Sequence, residues 1–101
     1  MIDKKLLSLV LNVEVTELKI SGKTIIYNEH FVINIYELMY LCKEWALSKR
    51  YKINSRPDSV PTLWEAYINL NITTCHSEVD DTEPKAIIKI CEWILKEKIC
   101  L

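Results

Sequence analysis

The segment running from Glu83 to Lys98 limits this chain more than any other. Read as a helix at about 100° per residue, it spreads Ala86, Ile87, Ile88, Ile90, Cys91, Trp93, Ile94, Leu95 and Ile99 over about two-thirds of its circumference. Lys85, Lys89, Glu92 and Lys96 fill the narrow polar strip that is left. A helix lying only on a sheet needs an apolar stripe of about a third of the wheel. The excess must be covered by something else: the other long helix, the N-terminal helix, or another chain. Thr82 stands at the N-cap, and Pro84 falls in the first turn, where its missing N–H costs nothing.

A second helix is predicted from the cap Asn34 to about Lys49 or Arg50. Glu37 lies three positions after the cap, as in a capping box. Ile35, Leu38, Met39, Leu41, Cys42, Trp45 and Ala46 form one apolar sector. Tyr36, Tyr40 and Leu47 fall on the opposite side with Lys43 among them. Either an N-terminal hairpin covers this aromatic and basic stripe, or it is an exposed contact site.

Around these helices the pattern is shorter in range. Asp3 caps a helix to Leu11, with Leu6, Leu7, Val10 and Leu11 on one face. Thr16–Ile20 and Lys23–Asn28 alternate as strands about Ser21-Gly22, the one glycine of the chain and a residue suited to the positive φ of a tight hairpin. His30–Ile33 either extends the second strand or leaves it. Later strands are expected at Tyr51–Asn54, Leu63–Asn69 and Ile72–Val79, with a loop at Pro57–Pro61. The expected fold is a single α+β domain over residues 1–101, in the order α-β-β-α-β-β-β-α. Residues 1–33 supply a helix and hairpin, and residues 34–98 an α-β-β-β-α unit: an antiparallel sheet with two long helices packed on one face.

Composition removes several functions. The chain has 101 residues, half of them hydrophobic and 27% charged, with a net charge of −1. That balance favours neither bulk attraction to nucleic acid nor to an anionic membrane. No apolar run is long enough to span a bilayer, no secretory leader is legible, and a cytoplasmic location is expected. A single glycine cannot build a phosphate-cradling loop, and neither G-x-S-x-G nor H-E-x-x-H occurs. The cysteines Cys42, Cys75, Cys91 and Cys100 have spacings that match no zinc or redox motif, and are read as buried reduced thiols. A thiol hydrolase would have to use Cys75 or Cys100. His30 and His76 show no spacing relation to a carboxylate or thiol pair, and Cys75 and His76 would face opposite ways on a strand. No enzyme activity, cofactor or metal is expected.

Two charged groups stand out. Glu78, Asp80, Asp81 and Glu83 precede the final helix, where carboxylates stabilise its N-terminus or form an acidic contact patch. Lys43, Lys49, Arg50, Lys52 and Arg56 make the middle of the chain basic, a solvated rim or a track for phosphates. The α-β-β-β-α order resembles a double-stranded-RNA-binding domain in topology. Such domains carry lysines at the start of the last helix, where this chain has Asp80-Asp81-Thr82-Glu83-Pro84-Lys85. Nucleic-acid binding through the basic set is therefore the alternative, not the leading expectation.

Between Asn34 and Lys98, the segments Asn34-Ile35-Tyr36-Glu37-Leu38, Cys42-Lys43-Glu44-Trp45-Ala46, Asp81-Thr82-Glu83-Pro84-Lys85-Ala86-Ile87 and Cys91-Glu92-Trp93-Ile94-Leu95 resemble small phage and prophage proteins of the phage ABA sandwich type. The resemblance rests on caps and core positions. It implies a mobile-element accessory protein that works by protein contacts, inhibition of a host defence system being one form. The contact residues expected are Tyr36, Tyr40, Leu47, Glu78, Asp80, Asp81, Glu83 and Trp93, the partners a host or phage protein and a second copy of the chain.

Overall fold

Short polar side chains place the helix ends. Asp3 accepts a hydrogen bond from the Lys5 backbone N–H at 2.7 Å and starts α1 (Lys4–Leu11). Asn12 closes it in the left-handed region, φ 56, its N–H on the Ser8 carbonyl, as a C-cap requires. Asn34 accepts from the Tyr36 N–H at 2.8 Å and opens α2 (Ile35–Ser48). The end of α2 is a Schellman turn: Arg50 at φ 71 gives its N–H to Leu47, and Tyr51 reaches back to Ala46. Lys49 and Arg50 thus lie just past the last helical turn and not within it. Thr82 receives the Lys85 N–H and leads α3 (Glu83–Ile99).

The computed structural model describes residues 2–99 and holds the element order α1, β1 (Leu18–Ser21), β2 (Thr24–Tyr27), β3 (Phe31–Asn34), α2, β4 (Asn54–Pro57), β5 (Trp64–Asn69), β6 (Cys75–Asp80), α3. It is an α+β fold in the expected order, with one strand more. The segment after Tyr27 leaves β2, turns through Asn28 and Glu29 at φ 50 and 68, and returns as β3. Asn28 holds that turn: its side-chain oxygen accepts the Thr16 N–H at 2.8 Å and its amide donates to the Glu14 carbonyl at 2.7 Å. The first hairpin turns on Gly22-Lys23, one residue later than expected, with Gly22 at φ 60.

The strands form two three-stranded antiparallel sheets, β1-β2-β3 and β4-β5-β6, where a single sheet was expected. β4 begins at Asn54, because Tyr51 is used in closing α2 and the pairing of Asn54 with Tyr67 sets the register. β6 begins at Cys75, because the Asn71 side chain accepts the N–H groups of Thr73 and Thr74 and bends residues 71–74 into a turn.

The wide apolar arc of α3 is covered from three directions. Trp93 stacks on His76 of β6 with ring centroids 4.0 Å apart, which turns Ala86, Ile90 and Trp93 toward the second sheet. Cys91 Sγ donates to the Cys42 carbonyl of α2 at 3.5 Å. The third neighbour is α1, while Ile88 faces Ile20 and Ile25 of the first sheet across a groove. Ile87, Ile90 and Ile94 have no exposed surface. The neighbours of α2 are α3, α1 and β3, while α3 lies against β4, β5 and β6.

The polar strip of α3 sets a pH dependence of two signs. Burial alone would raise the Asp80 carboxyl, but the Asp81 N–H and Lys89 outweigh it and hold it below the usual range. Partial burial raises the Glu92 carboxyl, and Asp3 repels its charged form. A depressed carboxylate stabilises the fold above its unfolded pKa and loses that contribution as pH falls through the folded one. A raised carboxylate contributes below its unfolded pKa and loses that as pH rises through the folded one. Asp80→Asn should therefore lower the melting temperature at neutral pH, with the difference closing as pH falls through the depressed folded pKa of Asp80. Glu92→Gln should raise it slightly at neutral pH and not at acid pH. Thermal unfolding of both variants across pH reads the two signs, and parallel curves would refute the assignment.

Candidate interaction surface

Among the described residues, Phe31, Val32, Tyr36, Tyr40 and Leu47 stand exposed on β3 and α2, while Leu9, Val13, Val60, Leu70 and Ile72 are exposed singly on α1 and in the loops. Ile35, Leu38, Cys42 and Ala46 are the buried face of α2. On the opposite face Tyr36, Tyr40 and Leu47 are 46%, 60% and 61% exposed, with half-buried Lys43 between them. The N-terminal hairpin does not cover this stripe. It reaches only its first residue, where Lys23 Nζ sits 5.7 Å from the Tyr36 ring centroid, a weak cation–π contact. A hydrogen bond to Glu44 raises the Tyr40 phenol. On β3, Phe31 is exposed although it stacks on Tyr27 at 5.4 Å, and Val32 is exposed on the other face.

The acidic run is occupied within the chain. Glu78 Oε2 lies 2.7 Å from His76 Nε2, Asp80 pairs with Lys89 at 3.3 Å, Asp81 with Lys85 at 3.2 Å, and Glu83 accepts from Ser55 Oγ at 2.5 Å. Glu83 ties α3 to β4, and Asp80 ties it to β6. Trp93, expected at a contact, is half-buried against His76. Contrary to expectation, His76 does have a carboxylate partner: residues 76 and 78, two apart, share one face of β6.

The basic residues are not brought onto one element. Lys49 and Arg50 lie in the turn after α2 and Lys52 in the connection to β4, all exposed. Arg56 projects from β4 onto the far face of the second sheet, bonded to Glu65 at 2.7 Å and stacked over Tyr67 at 4.9 Å.

Cys42 and Cys91 are buried, and Cys75 is exposed at the start of β6. A hydrogen bond with the Cys42 thiol and burial push the Cys91 thiol up, away from reactivity. Cys75 and His76 point to opposite faces; Cys100 lies outside the described residues. Among the described residues no group of three metal-ligating side chains comes together, and no helix is long and apolar enough to cross a membrane. A groove of about 360 Å³ runs between the first sheet and α3, floored by Ile2, Ile20, Ile25, Ile35 and Ile88. Lys85 and Lys89 on its rim are held by Asp81 and Asp80, which leaves no free cation among the described residues to fix an anionic ligand there.

No family model, curated protein or solved structure matches this chain.

Proposed function

We propose that this chain is a non-enzymatic binding protein, a phage or prophage accessory product that acts in the host cytoplasm by holding another protein against the outer face of α2. Tyr36, Tyr40 and Leu47 carry this reading: two tyrosines and a leucine stand exposed on one stripe of a helix whose other face is fully packed. Large, stiff aromatic side chains of this kind anchor protein interfaces, since they bury much area for little lost rotamer freedom. Inhibition of a host defence protein is the form of activity that the resemblance to small phage proteins favours. We also infer that the two long helices lie side by side in one layer; the contact of α2 with α3 supports this, α3 resting on the β4-β5-β6 sheet and α2 beside α1 and β3.

The test is capture from bacterial cells expressing the tagged chain, with and without nuclease treatment. Native chain should retain a protein that Tyr40→Glu loses and that nuclease leaves in place. Equal retention by both chains would remove α2 from the function. Loss on nuclease treatment would favour nucleic acid, held through Lys43, Lys49, Arg50, Lys52 and Arg56.

A further inference from the structure

A free strand edge offers unpaired N–H and C=O groups, and proteins blunt such edges with charge, proline or a covering side chain. Three of the four edges here are blunted. β1 carries Lys19, β4 carries Arg56 and Pro57, and β6 carries Glu78 and Asp80, with Lys89 Nζ on its Val79 carbonyl at 3.0 Å. β3 reads Phe31-Val32-Ile33-Asn34, without charge or proline, and its Phe31 and Val32 are 56% and 63% exposed.

The backbone groups on that edge match one another. Ile35 donates to the Lys23 carbonyl at 2.8 Å, and the pairs Ile33–Ile25 and Phe31–Tyr27 follow at intervals of two, so their hydrogen-bonding groups face β2. Val32 N–H, Val32 C=O, Asn34 N–H and His30 C=O therefore point outward. An antiparallel two-fold centred on Val32 sets Val32 N–H on the partner's Val32 C=O, and Asn34 N–H on the partner's His30 C=O, and the reverse. Two groups in that ladder would find no match, and both are already used within the chain: His30 N–H bonds the Asn28 carbonyl, and the Asn34 carbonyl accepts in the first turn of α2 as its N-cap.

We propose that a second copy of this chain pairs with the first along β3, joining two three-stranded sheets into one continuous antiparallel sheet across a two-fold axis at Val32. This contact uses the strand edge and is independent of the α2 stripe assigned to another protein. The edge is short, and the dimer is accordingly weak and dependent on concentration.

Light scattering at about 100 µM should give a mass approaching twice 11.9 kDa for the native chain, falling toward the monomer on dilution. Val32→Lys puts like charges directly opposite across the axis and should weaken association at least about tenfold. Val32→Glu should do the same, and mixing the two variants should restore the dimer. In the native chain, amide exchange over residues 31–34 should slow as concentration rises, which reads the contact even if both variants misfold. A monomer at every concentration, a dimer untouched by either charge, or exchange at β3 that ignores concentration would each overturn the proposal.

Discussion

Ile90→Asp is expected to leave no cooperative unfolding transition at 25 °C. Ile90 has no exposed surface and sits on the side of α3 turned to the second sheet. Its apolar contribution alone is about 2–5 kcal/mol, as read by Ile90→Ala, and an unpaired buried carboxylate costs several more. A domain of this size holds about 5–15 kcal/mol in all. The alanine variant should still fold, with its melting temperature lowered by about 10–30 °C. Circular dichroism on heating separates the two. A native-like transition for Ile90→Asp would mean that α3 is not the enclosed element of the fold.

Leu38→Ala is expected to be the second large loss, about 2–5 kcal/mol in denaturant unfolding. Leu38 is fully buried on the face of α2 that carries Cys42 and Ala46, and Leu6 and Leu7 of the adjoining α1 are fully buried as well. Two positions away along the same helix, Tyr40→Ala should change stability by no more than about 0.5 kcal/mol, because it removes mostly solvated surface. The contrast assigns one face of α2 to folding and leaves the other for a different task. Equal losses at Leu38 and Tyr40 would contradict it.

The long helices were legible because their signals are local. Asn34 and Thr82 cap them, and Leu38, Cys42 and Ala46 recur with the helical period, as do Ile87, Ile90 and Ile94. The arc of α3 showed that one sheet could not cover it, and left open whether another helix or another chain supplies the rest. β3 was illegible because Phe31-Val32-Ile33 fits either a longer β2 or a return strand. The choice is made by left-handed turns at Asn28 and Glu29, which side-chain type announces poorly at Glu29. The split into two sheets depends on pairings far apart in sequence, which period and propensity do not encode. The stripe of Tyr36, Tyr40 and Leu47 was visible as a pattern, but its exposure turned on where the hairpin lay. The acidic run was visible as a group before α3, but its partners, Ser55, His76, Lys85 and Lys89, come from three different elements and could not be read from the sequence.

The most direct measurement joins folding to binding on one variant. Tyr36→Ala/Tyr40→Ala should melt with the native chain to within a few degrees, about the effect of a surface change. By titration calorimetry its affinity for the purified captured protein should fall at least about tenfold. Native-strength binding by this double variant would contradict the account and move the working surface off α2.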